Sequence, residues 1–97
     1  MNTQVLPVND KSIALAAELL QKGELVALPT ETVYGIAADA HNGEAVKKIF
    51  EAKGRPQDNP LIVHIYGMEM LKGIVSEVPA RAYKLAEAFW PGPLTMV

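Results

Sequence analysis

Apolar residues in this chain recur by turns at two different spacings, and that alternation restricts the fold more than anything else in it. Ile13, Ala16, Ala17 and Leu20 fall three and four apart, as on one face of a helix. Val46, Ile49 and Phe50 repeat the pattern, and so do Ala82, Leu85, Ala86 and Phe89. Between these stripes lie short apolar runs at 25–28 and 61–66, of a length suited to strands. A continuous run such as 25–28 predicts a strand buried on both faces. Helices alternating with strands predict an α/β chain, a sheet with helices packed on it. A length of 97 residues allows at most one small domain.

Punctuation residues mark the boundaries. Asn9 or Asp10 suits the cap of a first helix running to about Lys22, with Gly23 as its stop. Residues 3–6 read as a short strand, residues 36–40 are ambiguous, and Asn42-Gly43 signals a turn. A second helix spans about 44–53 and stops at Gly54. Lys53 falls seven residues after Val46 and so continues the apolar stripe, where a lysine either snorkels outward or serves a polar site. In the strand at 61–66, Ile62, His64 and Tyr66 share one face. A short helix follows at 68–75, then a third clear helix with Pro79 as an early residue. Trp90-Pro-Gly-Pro93 breaks it, and 94–97 begins another strand. Ending inside a strand, the chain reads as a portion of a longer domain.

Composition excludes several classes. With 49% hydrophobic and 21% charged residues and a net charge of −2, this is ordinary globular material, not a chain coated in nucleic acid. The absence of cysteine removes disulfides and thiolate metal sites and leaves the redox compartment open. No apolar run approaches a membrane span, and MNTQVLPVND lacks the basic-then-apolar order of a secretion signal, so the cytoplasm is the expected location.

Two polar stretches carry the candidate chemistry. In Lys53 to Ile65, KGRPQDNPLIVHI, Lys53 and Arg55 flank a glycine ahead of a Pro-rich turn with Asp58 and Asn59. Residues 47–55 hold four cations and one anion, a local positive field suited to a polyphosphate or carboxylate. A solvated helix end explains the same cations, which favour the helix dipole there. Neither a Walker loop nor a Rossmann loop occurs. In the second stretch, Pro29 to Gly35, the hydroxyls of Thr30 and Thr32 and the Glu31 carboxylate leave a strand end together. Each residue has a plainer reading: turn chemistry for Asn59, a core position for His64, backbone satisfaction for the threonines, solvent for His41. Two histidines far apart, without clustered carboxylates, give no metal-ligand pattern.

Taken in order, PTETVYGIAADA, KGRPQDNPLIVHI and WPGPLT resemble the YrdC-like family of L-threonylcarbamoyl-adenylate synthases. The resemblance covers most of Pro29 to Thr95. It implies a YrdC-like (DHBP synthase-like) fold, a twisted mixed α/β sheet with packed helices and a concave basic surface, of which 1–97 is the N-terminal portion. It implies that L-threonine, bicarbonate and ATP are joined to give threonylcarbamoyl-adenylate and pyrophosphate. Partner proteins then carry the threonylcarbamoyl group to certain tRNAs. By the same resemblance Thr32 and His64 contact threonine, Arg55 and Asn59 contact ATP, and Lys53 with Arg55 faces the phosphates as the catalytic pair. Mg²⁺ is expected with the ATP. The family's downstream Ser-x-Asn motif does not occur, since neither Ser12 nor Ser76 has an Asn two residues on, and Ile36 replaces a commoner leucine. Catalysis is therefore expected of the complete protein, not of these residues alone.

Other readings compete. One is a double-stranded RNA or tRNA-binding module without catalysis, its affinity falling steeply with salt. Another is the related carbamoyl-transfer domain of hydrogenase maturation proteins, whose cysteine zinc motifs are missing here. A third is an assembly module with no ligand of its own.

Overall fold

The computed structural model describes residues 2–54, 56 and 60–97. The elements run α1 (Asp10–Gln21), β1 (Val26–Leu28), β2 (Gly35–Ala37), α2 (Gly43–Lys53), α3 (Met68–Lys72) and α4 (Ala80–Phe89). They fall into two compact units, Met1–Pro60 and Leu61–Val97. The class is α/β, as the alternating spacing predicts.

In the first unit, α1 opens on a reciprocal cap. The Asn9 side chain accepts from the Ser12 amide at 2.9 Å, and the Ser12 hydroxyl accepts from the Asn9 amide at 3.0 Å. The helix closes at a buried Gly23 with φ +84°, a left-handed residue whose amide donates to Leu20, while the Glu24 amide donates to Leu19. A methyl group at Gly23 would stand 2.9 Å from Asn42 Nδ2, as well as demanding an unfavourable φ. Gly23→Ala is therefore expected to lower stability by about 1–2 kcal/mol, read from urea unfolding of this chain; an unchanged midpoint refutes it.

β1 and β2 pair antiparallel, Val26 with Ala37, Ala27 with Ile36 and Leu28 with Gly35. α1 contacts β1. Asn42 caps α2, accepting from the amides of Glu44 at 3.1 Å and Ala45 at 3.2 Å. The Asn42-Gly43 signal thus marks a helix start. Ala45, Ile49 and Phe50, three, seven and eight residues further on, are the buried core of this unit. Gly54, in the left-handed conformation at φ 66°, ends α2 as expected.

The second unit holds α3 and α4. α4 begins after Pro79, which acts as its N-cap and accepts from the Ala82 amide at 2.9 Å. Ala86 is its buried residue. The Trp90-Pro91 bond is cis, and the indole Nε1 donates to the Leu94 carbonyl at 2.8 Å, folding the WPGP segment back on itself. A side chain at Gly92 would strike the Phe89 carbonyl oxygen, so the glycine is required there by space.

Several strand expectations are corrected. Among the described residues, 3–6, 61–66 and 94–97 join no ladder. Apolar patterning reports a residue's fitness for a pleated surface, whereas a strand also needs a neighbour to take its amides and carbonyls. The run at 25–28 is not buried on both faces, for Ala27 and Leu28 are exposed. Among the described residues it pairs with one strand and packs against α1. The observed sheet is thus a two-stranded hairpin. α3 stops at Lys72 instead of continuing to 75, because Gly73 follows and takes the C-cap.

Candidate functional site

The hydroxyl loop, 29–34, is the connection of the hairpin. β1 ends at Leu28, Pro29 turns the chain out, and every residue of the loop is exposed. Its two threonines divide the work. Thr30 Oγ1 donates to the Val33 carbonyl and accepts from the Thr32 amide at 3.2 Å, closing the loop on itself. Thr32 presents its hydroxyl at the crown, where its described polar contact is Thr30 Oγ1 at 3.5 Å. Backbone satisfaction, one plain reading of the pair, fits Thr30; it leaves Thr32 available to a ligand. Beyond β2, Asp39 Oδ1 accepts from the His41 amide at 2.9 Å, which places His41 in an exposed turn as expected.

The cationic end of α2 is less positive than its composition indicates. Lys47 lies 3.3 Å from Glu44, and Lys48 lies 3.6 Å from Glu24 while donating to the Gly23 carbonyl at 2.9 Å. Lys53 forms the last residue of α2, is exposed, and makes no ion pair among the described residues. Its side chain leaves the stripe of Val46, Ile49 and Phe50 for solvent, a placement that suits both snorkelling and a polar site at the helix end. Arg55 and Asn59 lie outside the described residues, and Lys53 is the described member of the set expected at the nucleotide. Thr32 and Lys53 belong to one unit.

His64 belongs to the second unit, in the segment between Leu61 and Tyr66, which forms no helix or strand. It is exposed, so the core-histidine reading does not hold for this chain. Ile62 and Tyr66, which share its alternation, are exposed as well, at 66% and 90%.

Charge elsewhere is local and superficial. On α1 the hydrogen bond from Lys22 to Glu18, 2.9 Å, and then the attraction of their charges hold the Glu18 carboxyl below its usual range and Lys22 above its own. Both groups are exposed, so this pair tunes the helix surface and not the site. Among the described residues no three His, Cys, Asp or Glu side chains gather into a metal site. No helix among them is long and apolar enough to cross a membrane.

Sequence reasoning missed Lys48 and Asn42, which meet Gly23 from α2. A lysine-to-carbonyl bond across 25 positions leaves no local pattern to read. The Asn-Gly pair did offer one, as a helix cap instead of a turn.

Known proteins are similar to this chain. The family model Sua5_yciO_yrdC, described as telomere recombination, matches residues 18–97. A threonylcarbamoyl-AMP synthase of Bacillus subtilis (strain 168) is 55% identical over 95 residues, 98% of this chain and 28% of that protein. One from Pyrococcus abyssi (strain GE5 / Orsay) is 54% identical over 90 residues, 93% of this chain and 26% of that protein. The crystal structure of P. abyssi Sua5 complexed with L-threonine matches with a TM-score of 0.83 and 52% identity, covering 90% of this chain and 26% of that one. The chain thus spans little more than a quarter of the length of these relatives.

Proposed function

The chain belongs to the Sua5/YciO/YrdC family, and from that premise we propose that 1–97 is the N-terminal portion of a YrdC-like domain whose complete protein makes threonylcarbamoyl-AMP. One observation carries the reading. A Sua5 described as complexed with L-threonine shares the fold of 90% of this chain at 52% identity. Apolar exposure in the second unit supports the portion reading, since Ile62 and Tyr66 suit a sheet face that the rest of a domain covers.

The reaction joins L-threonine, bicarbonate and ATP, releases pyrophosphate, and feeds tRNA modification in the cytoplasm through partner proteins. It is an ATP-dependent nucleotidyl transfer. The carbamate oxygen of N-carboxythreonine attacks the α-phosphorus, and the bond to the pyrophosphate oxygen breaks in line with it. Such a displacement needs positioning and charge neutralisation more than a covalent nucleophile. Thr32, with its hydroxyl exposed on the loop crown, binds threonine, and His64 is its second contact. Lys53 and Arg55 take the phosphates and their developing charge, and Arg55 and Asn59 hold the nucleotide. Mg²⁺ enters as the ion carried by ATP, a part of the substrate.

Isothermal titration of the complete protein tests the assignment. Saturable ATP binding that tightens by about tenfold or more when threonine and bicarbonate are present is the expected result. Nucleotide binding indifferent to threonine, beside tRNA binding that collapses with salt, would instead establish the RNA-binding module. The ion pairs of Lys47 and Lys48 with glutamates weigh against that module, because they withdraw two cations from a phosphate-tracking surface.

A further inference from the structure

Three features outside the proposed site attract a role: the open groove beside α1, the exposed apolar segment 61–66, and the contact between α2 and the turn after α1. Nothing shows what would cover the first, and the second belongs to the portion reading already given. The third is built, within one unit, from two directions. Lys48 Nζ donates to the Gly23 carbonyl at 2.9 Å and lies 3.6 Å from the Glu24 carboxylate. From the start of the same helix, Asn42 crowds Gly23 so closely that a methyl group there would stand 2.9 Å from its Nδ2. Gly23 is buried between them.

This contact sits at a mechanical junction. Gly23 and Glu24 lead directly into β1, which carries the hydroxyl loop at its far end. In the other direction α2 runs on from Lys48 to Lys53, about 7.5 Å of helix rise. The hairpin bearing the Thr30–Thr32 loop and the helix bearing Lys53 are therefore fastened to one another at the hairpin's base. We propose that Lys48 is a positioning residue: by gripping Gly23 and Glu24 it holds α2, with Lys53 at its end, in fixed relation to the loop that presents Thr32.

The proposal rests on the function assigned above, which gives those two corners a threonine and a triphosphate to bring together. In a reaction between two bound substrates, an error in their relative placement falls on the transition state, while each substrate still finds its own contacts. Lys48→Met in the complete protein should therefore lower kcat for threonine-dependent pyrophosphate release by about tenfold, with KM for ATP and for threonine within about threefold of the parent. Lys48→Arg, which keeps a long cationic donor, should restore kcat to within about threefold. Lys47→Met, one residue away and paired among the described residues to Glu44, should leave kcat unchanged.

A fall in kcat of less than about threefold in Lys48→Met, or an equal fall in Lys47→Met, overturns the proposal. Hydrogen exchange gives a readout independent of turnover. Amides of Val26–Leu28 and Gly35–Ala37 should exchange faster in Lys48→Met while those of Asp10–Gln21 do not change. Unaltered exchange in the hairpin overturns the clamp whatever the activity. Should the parent protein release no pyrophosphate with threonine and ATP, the assigned function falls, and the exchange measurement alone decides the clamp.

Discussion

Arg55→Ala in the complete protein is expected to reduce threonine-dependent release of pyrophosphate from ATP by about 10²–10³-fold, the usual effect of removing one donor aimed at developing negative charge. In the α-phosphorus displacement proposed above, no covalent step is open for another residue to take over, so on that proposal the loss falls on charge stabilisation. Arg55→Lys should recover only part of the rate, because an ammonium supplies a point charge without the planar fork that engages two oxygens at once. Lys53→Met should cost less, about tenfold, since its exposed ammonium is partly shielded by water. Radiolabelled pyrophosphate release at saturating threonine, bicarbonate and ATP measures all three. A rate for Arg55→Ala equal to that of the parent would strike Arg55 from the phosphate-binding set.

The second large effect concerns stability. Phe50→Ala should destabilise this chain by about 3 kcal/mol, at the lower end of phenylalanine truncations in cores. Phe50 is 7% exposed, and with Ile49 at 6% and Ala45 at 1% it makes up the buried core of the first unit. So small a core has few other atoms with which to close the cavity. Phe50→Leu, which keeps most of the volume, should cost about 1 kcal/mol. At about 4–8 °C per kcal/mol for a domain of this size, the alanine variant should melt roughly 12–24 °C below the parent. A shift under about 4 °C would mean that α2 is held by something other than its apolar stripe.

The helices were readable before the structure because what defines them is local. Asn9, Gly23, Gly54 and Pro79 sit at or next to the ends where their chemistry places them, and the stripe of α2 is buried at Ile49 and Phe50, with Ala45 in the core and Val46 half-buried. Strands depend on distant neighbours, which is why the runs at 3–6, 61–66 and 94–97 suggest strands that join no ladder, while 36–40 reads as ambiguous although Gly35–Ala37 is a hairpin strand. The hydroxyl loop could be found by composition alone. The separate duties of its threonines could not, because they turn on which hydroxyl meets the Val33 carbonyl. The positive charge of 47–55 was overestimated for a related reason: Glu24, which engages Lys48, lies far away in the chain.

The way Thr30 ties the loop shut also restricts its length. The hydroxyl reaches a carbonyl three residues on, while Leu28 and Gly35 stay paired at the base. A single inserted residue between 30 and 33 would open that ring without disturbing the ladder. Among related sequences that keep this tie, the turn should therefore vary in its side chains far more readily than in its number of residues.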